Sequence, residues 1–308
     1  MYNGIKRFII GKDWNRVSLE EGGNPIIKTD KLTHVYSQST PFEKIAIDVV
    51  SLNIYLGDFI GVIGHTGSGK STLIQHFNGL LKPTSGNIYY LGEDIWKKGY
   101  PLRQLHFNVG LVFQYPEYQL FEETVEKDIS FGPKNMGLKE DEISERVLSS
   151  IKFVGLDESI LDKSPFEISG GQKRRVAIAG IMAMRPKVLI LDEPTAGLDP
   201  RGRNEILSRI KEYQSTEKVA VLLVSHSMED IADTAKKVLV MDKSHIAMFG
   251  TTDEVFERSN ELSGMGLDVP QITRIFLSLK KSGYQVPTCV YSTEQAKDEL
   301  IRIVRGTL

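Results

Sequence analysis

Eight consecutive residues, Gly64-His65-Thr66-Gly67-Ser68-Gly69-Lys70-Ser71, satisfy the spacing G-x-x-x-x-G-K-[ST]. Glycines let such a loop fold around an anion, so that backbone N–H groups and the following helix N-terminus point at phosphates. Lys70 adds a mobile positive charge, the Ser71 hydroxyl is a ligand for Mg²⁺, and Thr72 continues the cradle into the helix. A second pair of chemical groups closes the apolar run Val188-Leu189-Ile190-Leu191-Asp192-Glu193. Two adjacent carboxylates can divide two roles, with Asp192 on the metal shell and Glu193 orienting and deprotonating an attacking water. Phosphoryl transfer asks a protein mainly for positioning and charge stabilisation, and this set suffices for it.

The motif needs a strand before it and a helix after it. Asp58 to Ile63 reads as a short apolar strand of the buried parallel kind. Ser71 to Leu81 places Leu73, Ile74, Phe77, Leu80 and Leu81 at helical spacing. Further on, a helix over 171–183, the strand at Val188, a helix over 201–213 and a strand over 219–224 alternate as a parallel sheet with helices on its faces requires. Between them, the charged helical composition after Gln114, with Ile143, Val147, Leu148, Ile151 and Val154 on one face, predicts an inserted helical subdomain over about 115–168. Residues 26–63 read as a β-rich N-terminal part. Pro270 and Gly283 bracket one candidate helix, and 294–304 forms a second. The expected layout is therefore a loosely ordered extension over 1–25, an α/β ATP-binding core over 26–250 and a small helical extension over 251–308.

Composition narrows the function classes. Of 308 residues 41% are hydrophobic, enough for a sizeable core. Lys plus Arg number 38 against 40 Asp plus Glu, so no basic field gathers nucleic acid. The one cysteine, Cys289, makes neither an internal disulfide nor a cysteine-based zinc site, which fits a reducing compartment. No aliphatic stretch approaches the length of a membrane span, and the start of the chain lacks the apolar region of a secretory signal.

A third element narrows the family. Ile168-Ser169-Gly170-Gly171-Gln172, followed by Lys173-Arg174-Arg175, resembles the signature of ATP-binding cassette (ABC) ATPases, with Ile168 where leucine is usual. The resemblance implies a P-loop NTPase of the ABC type in which Ser169, Gly170, Gly171 and Gln172 cradle the ATP of an opposite subunit. It also implies that Gln114 links the γ-phosphate and Mg²⁺ to the helical subdomain, that Asp199 communicates across a dimer and that His226 contacts the γ-phosphate. Tyr36 resembles the aromatic that stacks on adenine, with Phe42 the neighbouring alternative.

Closer still, the segments 36–43, 113–121 and 131–135 resemble the ATPases of energy-coupling factor (ECF) transporters, specifically the second of two paralogous ATPases. What this implies is a peripheral motor on the cytoplasmic face of the membrane that couples ATP hydrolysis to uptake of vitamins or metal ions. Its implied partners are a paralogous ATPase in a heterodimer, a transmembrane coupling protein and a substrate-binding membrane component. The segment from Gly266 to Pro270 and the helix after it resemble that family's C-terminal extension, whose implied role is dimerisation. Two other classes are weighed against this: a soluble cassette ATPase acting on DNA or the ribosome, disfavoured by the near-neutral charge, and a nucleotide-responsive binding module, disfavoured by Glu193 and His226.

Overall fold

The computed structural model describes residues 23–306; the extension expected over 1–25 falls almost wholly outside the described residues. Among the described residues there are ten strands, the central ones largely apolar: β1 (Ile27–Tyr36), β2 (Lys44–Ile54), β3 (Phe59–Ile63), β4 (Ser85–Tyr90), β5 (Glu93–Asp94), β6 (Val109–Val112), β7 (Val188–Asp192), β8 (Ala220–Val224), β9 (Lys237–Asp242) and β10 (His245–Thr251). They make two sheets. One is antiparallel, in the order β2-β1-β4-β5; the other, in the order β10-β9-β3-β8-β7-β6, is parallel except for β10. Helices α1 (Lys70–Phe77), α2 (Leu102–Asn108), α3 (Val125–Asn135), α4 (Glu140–Phe153), α5 (Gly170–Met182), α6 (Pro200–Glu217) and α7 (Met228–Thr234) connect them, followed by α8 (Thr252–Glu257), α9 (Ser259–Gly264), α10 (Gln271–Lys281) and α11 (Thr293–Gly306).

The parallel strands read as unbroken apolar runs because both of their faces are covered. Alternation along each strand divides the side chains between two cores. Leu189, Leu191, Val221 and Leu223 pack with the helices α3 to α7. Val188, Ile190, Ala220, Leu222 and Val224 pack with α1 and the antiparallel sheet. Val255 and Phe256 of α8 and Leu262 of α9 belong to the first of these cores. A separate small cluster of Phe276, Val286, Val290 and Ala296 holds α10 and α11 together.

Register is what gathers the site. Val62 of β3 pairs with Val224 of β8, and Val224 pairs with Asp192 of β7. The glycine loop after Ile63, the carboxylates at the end of β7 and the turn after Val224 therefore leave the sheet side by side, at the carboxyl ends of adjacent parallel strands.

Two expectations are corrected. Leu148, counted on the apolar face of α4, is 42% exposed. The helix expected to reach Leu81 ends at Phe77, because Gly79 adopts φ +75° and turns the chain. Leu80, counted on the apolar face, is 48% exposed.

Close packing of β3 against α7 depends on Gly61. A Cβ built there lies 2.5 Å from Cγ2 of Ile231 and 3.2 Å from Cβ of Ala235. Gly61→Ala is expected to lower unfolding free energy by about 1–3 kcal/mol through forced displacement of Ile231. A lower denaturant midpoint with an unchanged slope would report it; an unmoved midpoint would mean that Ile231 yields without cost.

Candidate functional site

Local conformation makes the glycine loop. Gly67 and Gly69 adopt φ of +82° and +107°, in the left-handed region that a side chain disfavours. A Cβ on Gly69 would lie 2.3 Å from the carbonyl oxygen of Ala46, so β2 closes against the loop only where a glycine stands. Lys70 opens α1 and is buried, its Nζ donating to the carbonyls of Gly64 at 2.6 Å and His65 at 3.0 Å. His65 turns aside, its Nε2 3.0 Å from Asp242 Oδ1, while Ser68 is wholly buried beneath the loop.

A cavity of about 270 Å³ opens over this loop. Thr66, Gly67, Gly69, Lys70, Ser71 and Thr72 line its floor, Asp192, Glu193 and His226 one wall, and Tyr36 and Gln114 also border it. Ser71 Oγ is 3.3 Å from Asp192 Oδ2, and His226 Nε2 is 3.7 Å from Glu193 Oε1. Phe42 is 84% exposed and does not border the cavity, whereas Tyr36 does.

The electrostatics are those of a charged site partly withdrawn from water. Burial lowers the Lys70 pKa, opposed by the charges of Asp192 and Glu193. Burial raises Asp192, opposed by the Ser71 hydroxyl and Lys70. Glu193 is pushed up to about 7, first by burial and then by the neighbouring Asp192 charge. Burial, followed by Lys70, lowers His226. Glu193 also sits at φ +53°, an uncommon conformation for a non-glycine residue, and its Oε1 is buried without a hydrogen-bond partner. The paired oxygens of Ser71 and Asp192 are hard donors of the kind Mg²⁺ takes, and they fit it.

The ABC transporter family profile matches residues 47–196. The energy-coupling factor transporter ATP-binding protein EcfA2 of Caldanaerobacter subterraneus subsp. tengcongensis is 54% identical over 281 residues, 91% of this chain and 98% of that one. EcfA2 of Clostridium tetani is 58% identical over 278 residues, 90% of this chain and 96% of that one. The chain belongs to the ATP-binding subunits of ECF transporters. Among solved structures, cbiO1 from Clostridium perfringens, part of the ABC transporter complex cbiONQ, superposes with TM-score 0.69 at 38% identity, covering 84% of this chain and 98% of that one. The ATP-binding cassette MJ0796, in a dimeric post-hydrolysis state bound to ADP and Pi, gives TM-score 0.68 at 25% identity, covering 73% of this chain and 98% of that one.

This ECF-type ATPase carries its remaining expected site residues elsewhere. Ser169, Gly170, Gly171, Gln172 and Asp199 do not border the cavity. Ser169 and Gln172 form a reciprocal capping box at the start of α5, and Asp199 caps α6 by accepting from Gly202 N at 2.8 Å. Three residues escape sequence reasoning. Lys44 and Ala46 of β2 border the cavity, brought there by a sheet pairing that leaves no mark in local spacing. Arg174, buried in α5, binds the carbonyls of Gln114, at 3.0 Å, and of Ala196, together with the Glu117 carboxylate at 3.3 Å. Its neighbours in the signature were a hint, but a charge in a basic run ordinarily reads as solvated.

The Glu193 shift has a measurable sign. A carboxyl raised from 4.5 to about 7 holds its proton better in the folded state. The stability this contributes is complete below about 4.5 and is lost as pH rises through about 7. Glu193→Gln removes the penalty of the buried charge, so without nucleotide its thermal midpoint should exceed the wild type by a wider margin at pH 8 than at pH 5. Equal margins at both pH values would contradict the shift.

Proposed function

We propose that ATP occupies the cavity with its phosphates on the loop N–H groups and Lys70, and its adenine against Tyr36. The observation that carries this reading is the convergence of Lys70, Ser71, Asp192, Glu193 and His226 from three adjacent strand ends onto one cavity. Ser71, Asp192 and Gln114 would hold Mg²⁺, which when bound spreads the negative charge of the β- and γ-phosphates. Glu193 takes a proton from water as the water oxygen bonds to the γ-phosphorus and the bond to the ADP oxygen breaks. Its pKa near 7 suits this transfer, since the carboxylate is available at neutral pH and remains basic enough to accept. His226, beside Glu193, orients the γ-phosphate.

The same reading gives the outlying residues a partner. Ser169, Gly170, Gly171 and Gln172, with Asp199, serve the ATP of a paired cassette, so ATP bridges two subunits and favours the closed dimer by binding it better. That partner is a paralogous ATPase, and the helical extension over 251–308, beginning at the last residue of β10, contributes to the pairing. The helical subdomain over about 115–168 transmits closure to a transmembrane coupling protein, which works with a substrate-binding membrane component to import vitamins or metal ions. Supporting this is an apolar groove of about 360 Å³ beside α3 and α5, where Phe121 and Phe131 stand 60% and 46% exposed with ring centroids 5.0 Å apart. Among the described residues no helix is long and apolar enough to cross a membrane, which fits a peripheral subunit at the cytoplasmic face.

Glu193→Gln should retain ATP affinity while turnover falls by about a hundredfold or more. Unchanged turnover would remove Glu193 from the role of base. Tagged protein drawn from detergent-solubilised membranes should bring a second cassette ATPase and multi-spanning proteins with it; ribosomes or DNA in their place would overturn the transport reading.

A further inference from the structure

Two histidines lie behind the base end of the cavity, and the chemistry above uses neither. His76, on α1, is wholly buried, and His34, on β1, is 9% exposed. His76 Nδ1 is 2.7 Å from the carbonyl of Thr72, one helical turn earlier. A carbonyl can only accept, so this nitrogen carries the proton. Burial also depresses the His76 pKa to about 4, which keeps the ring neutral at ordinary pH and leaves Nε2 with a bare lone pair. His34 Nδ1 lies 3.2 Å from that nitrogen and 3.2 Å from the carbonyl of Lys82. One N–H on His34 thus serves two acceptors, and both tautomers are fixed by their surroundings.

The chain of contacts continues back to the cavity. His34 and Tyr36 are two residues apart on β1 and so share a face. Their rings meet edge to face, with centroids 4.5 Å apart and planes at 74°. Tyr36 Oη is 3.3 Å from Thr72 Oγ1. The circuit therefore closes: Tyr36 to His34, His34 to His76, His76 to Thr72, Thr72 to Tyr36. It ties β1 of the antiparallel sheet to the helix whose first turn holds Lys70 and Ser71.

We infer that His34 and His76 are positioning residues for nucleotide binding: they hold the Tyr36 ring at a set place relative to α1, and so fix the spacing between the base platform and the phosphate cradle. This rests on the reading of Tyr36 as the adenine platform. The histidines touch neither phosphates nor reacting atoms. Their effect belongs to the affinity for the base, and inorganic tripolyphosphate, which has phosphates and no base, should not register it. Two histidines that merely fill a core would act on stability and on both ligands alike.

The test is equilibrium binding of Mg²⁺-ATP and of Mg²⁺-tripolyphosphate to the full chain, in wild type, Tyr36→Ala, Phe42→Ala, His34→Ala, His76→Phe and the Tyr36→Ala/His34→Ala pair. Tyr36→Ala should weaken ATP and spare tripolyphosphate, while Phe42→Ala changes neither. His34→Ala and His76→Phe should each weaken ATP by about three- to tenfold, the size of an aromatic contact, and leave tripolyphosphate within about twofold. In steady state KM for ATP rises and kcat holds. In the Tyr36→Ala background, His34→Ala should cost less than about twofold more, because the platform it positions is already gone. Equal weakening of ATP and tripolyphosphate, or the same loss from His34→Ala with and without Tyr36, would overturn the inference while leaving the platform reading intact. ATP affinity unmoved by Tyr36→Ala would remove the platform, and the inference with it. Should His76→Phe fail to fold, His34→Ala, at the margin of the core, decides by the same comparison.

Discussion

An ammonium group and two carboxylates share one partly dehydrated corner, and the surrounding structure is arranged to make that tolerable. Lys70, Asp192 and Glu193 are each less than a tenth exposed. Taking charges out of water is costly unless they find opposite charge and hydrogen bonds. Lys70 meets that demand with two loop carbonyls, and Asp192 with the Ser71 hydroxyl. Glu193 meets it least: its Oε1 has no hydrogen-bond partner, and burial with the Asp192 charge beside it pushes its pKa up to about 7. The base role proposed for Glu193 rests on such a group, left short of partners by the fold.

Such a corner can be built because parallel strands in register end together. The antiparallel sheet contributes from the opposite side: β2 presents the Ala46 carbonyl against Gly69, and β1 carries the aromatic wall. The two sheets thus meet at the cavity, one bringing Lys70, Asp192 and Glu193 to it and the other Tyr36, Lys44 and Ala46. Contacts between α1 and β1 link the two halves.

Much of this was legible in the residue order. The glycine loop, the strand-terminal carboxylates and the signature all depend on contiguous residues, and contiguity is what a linear pattern preserves. The strands at Val188 and Ala220 were equally plain, since burial on both faces leaves nothing but apolar side chains. The end of α1 was misread because Leu80 and Leu81 continue a helical spacing that Gly79 interrupts, and a backbone turn outweighs side-chain periodicity. Lys44, Ala46, Arg174 and the His34–His76 pair were illegible for one shared reason. Each acquires its role from a segment tens of residues away, through sheet pairing or helix docking, and no local spacing encodes that.

The reciprocal cap at the start of α5 bears on why a serine stands there. Ser169 Oγ accepts from the Gln172 N–H, which occupies a lone pair and leaves its own O–H hydrogen unspent. One hydroxyl can thus close its helix and still offer a proton outward, without a choice between the two. Aspartate would cap as well, but it has no hydrogen to offer and would set a negative charge against an incoming phosphate. Under the proposed pairing of cassettes, position 169 needs an atom that gives and receives at once, so that the signature helix stays intact while a neighbour's nucleotide arrives and leaves.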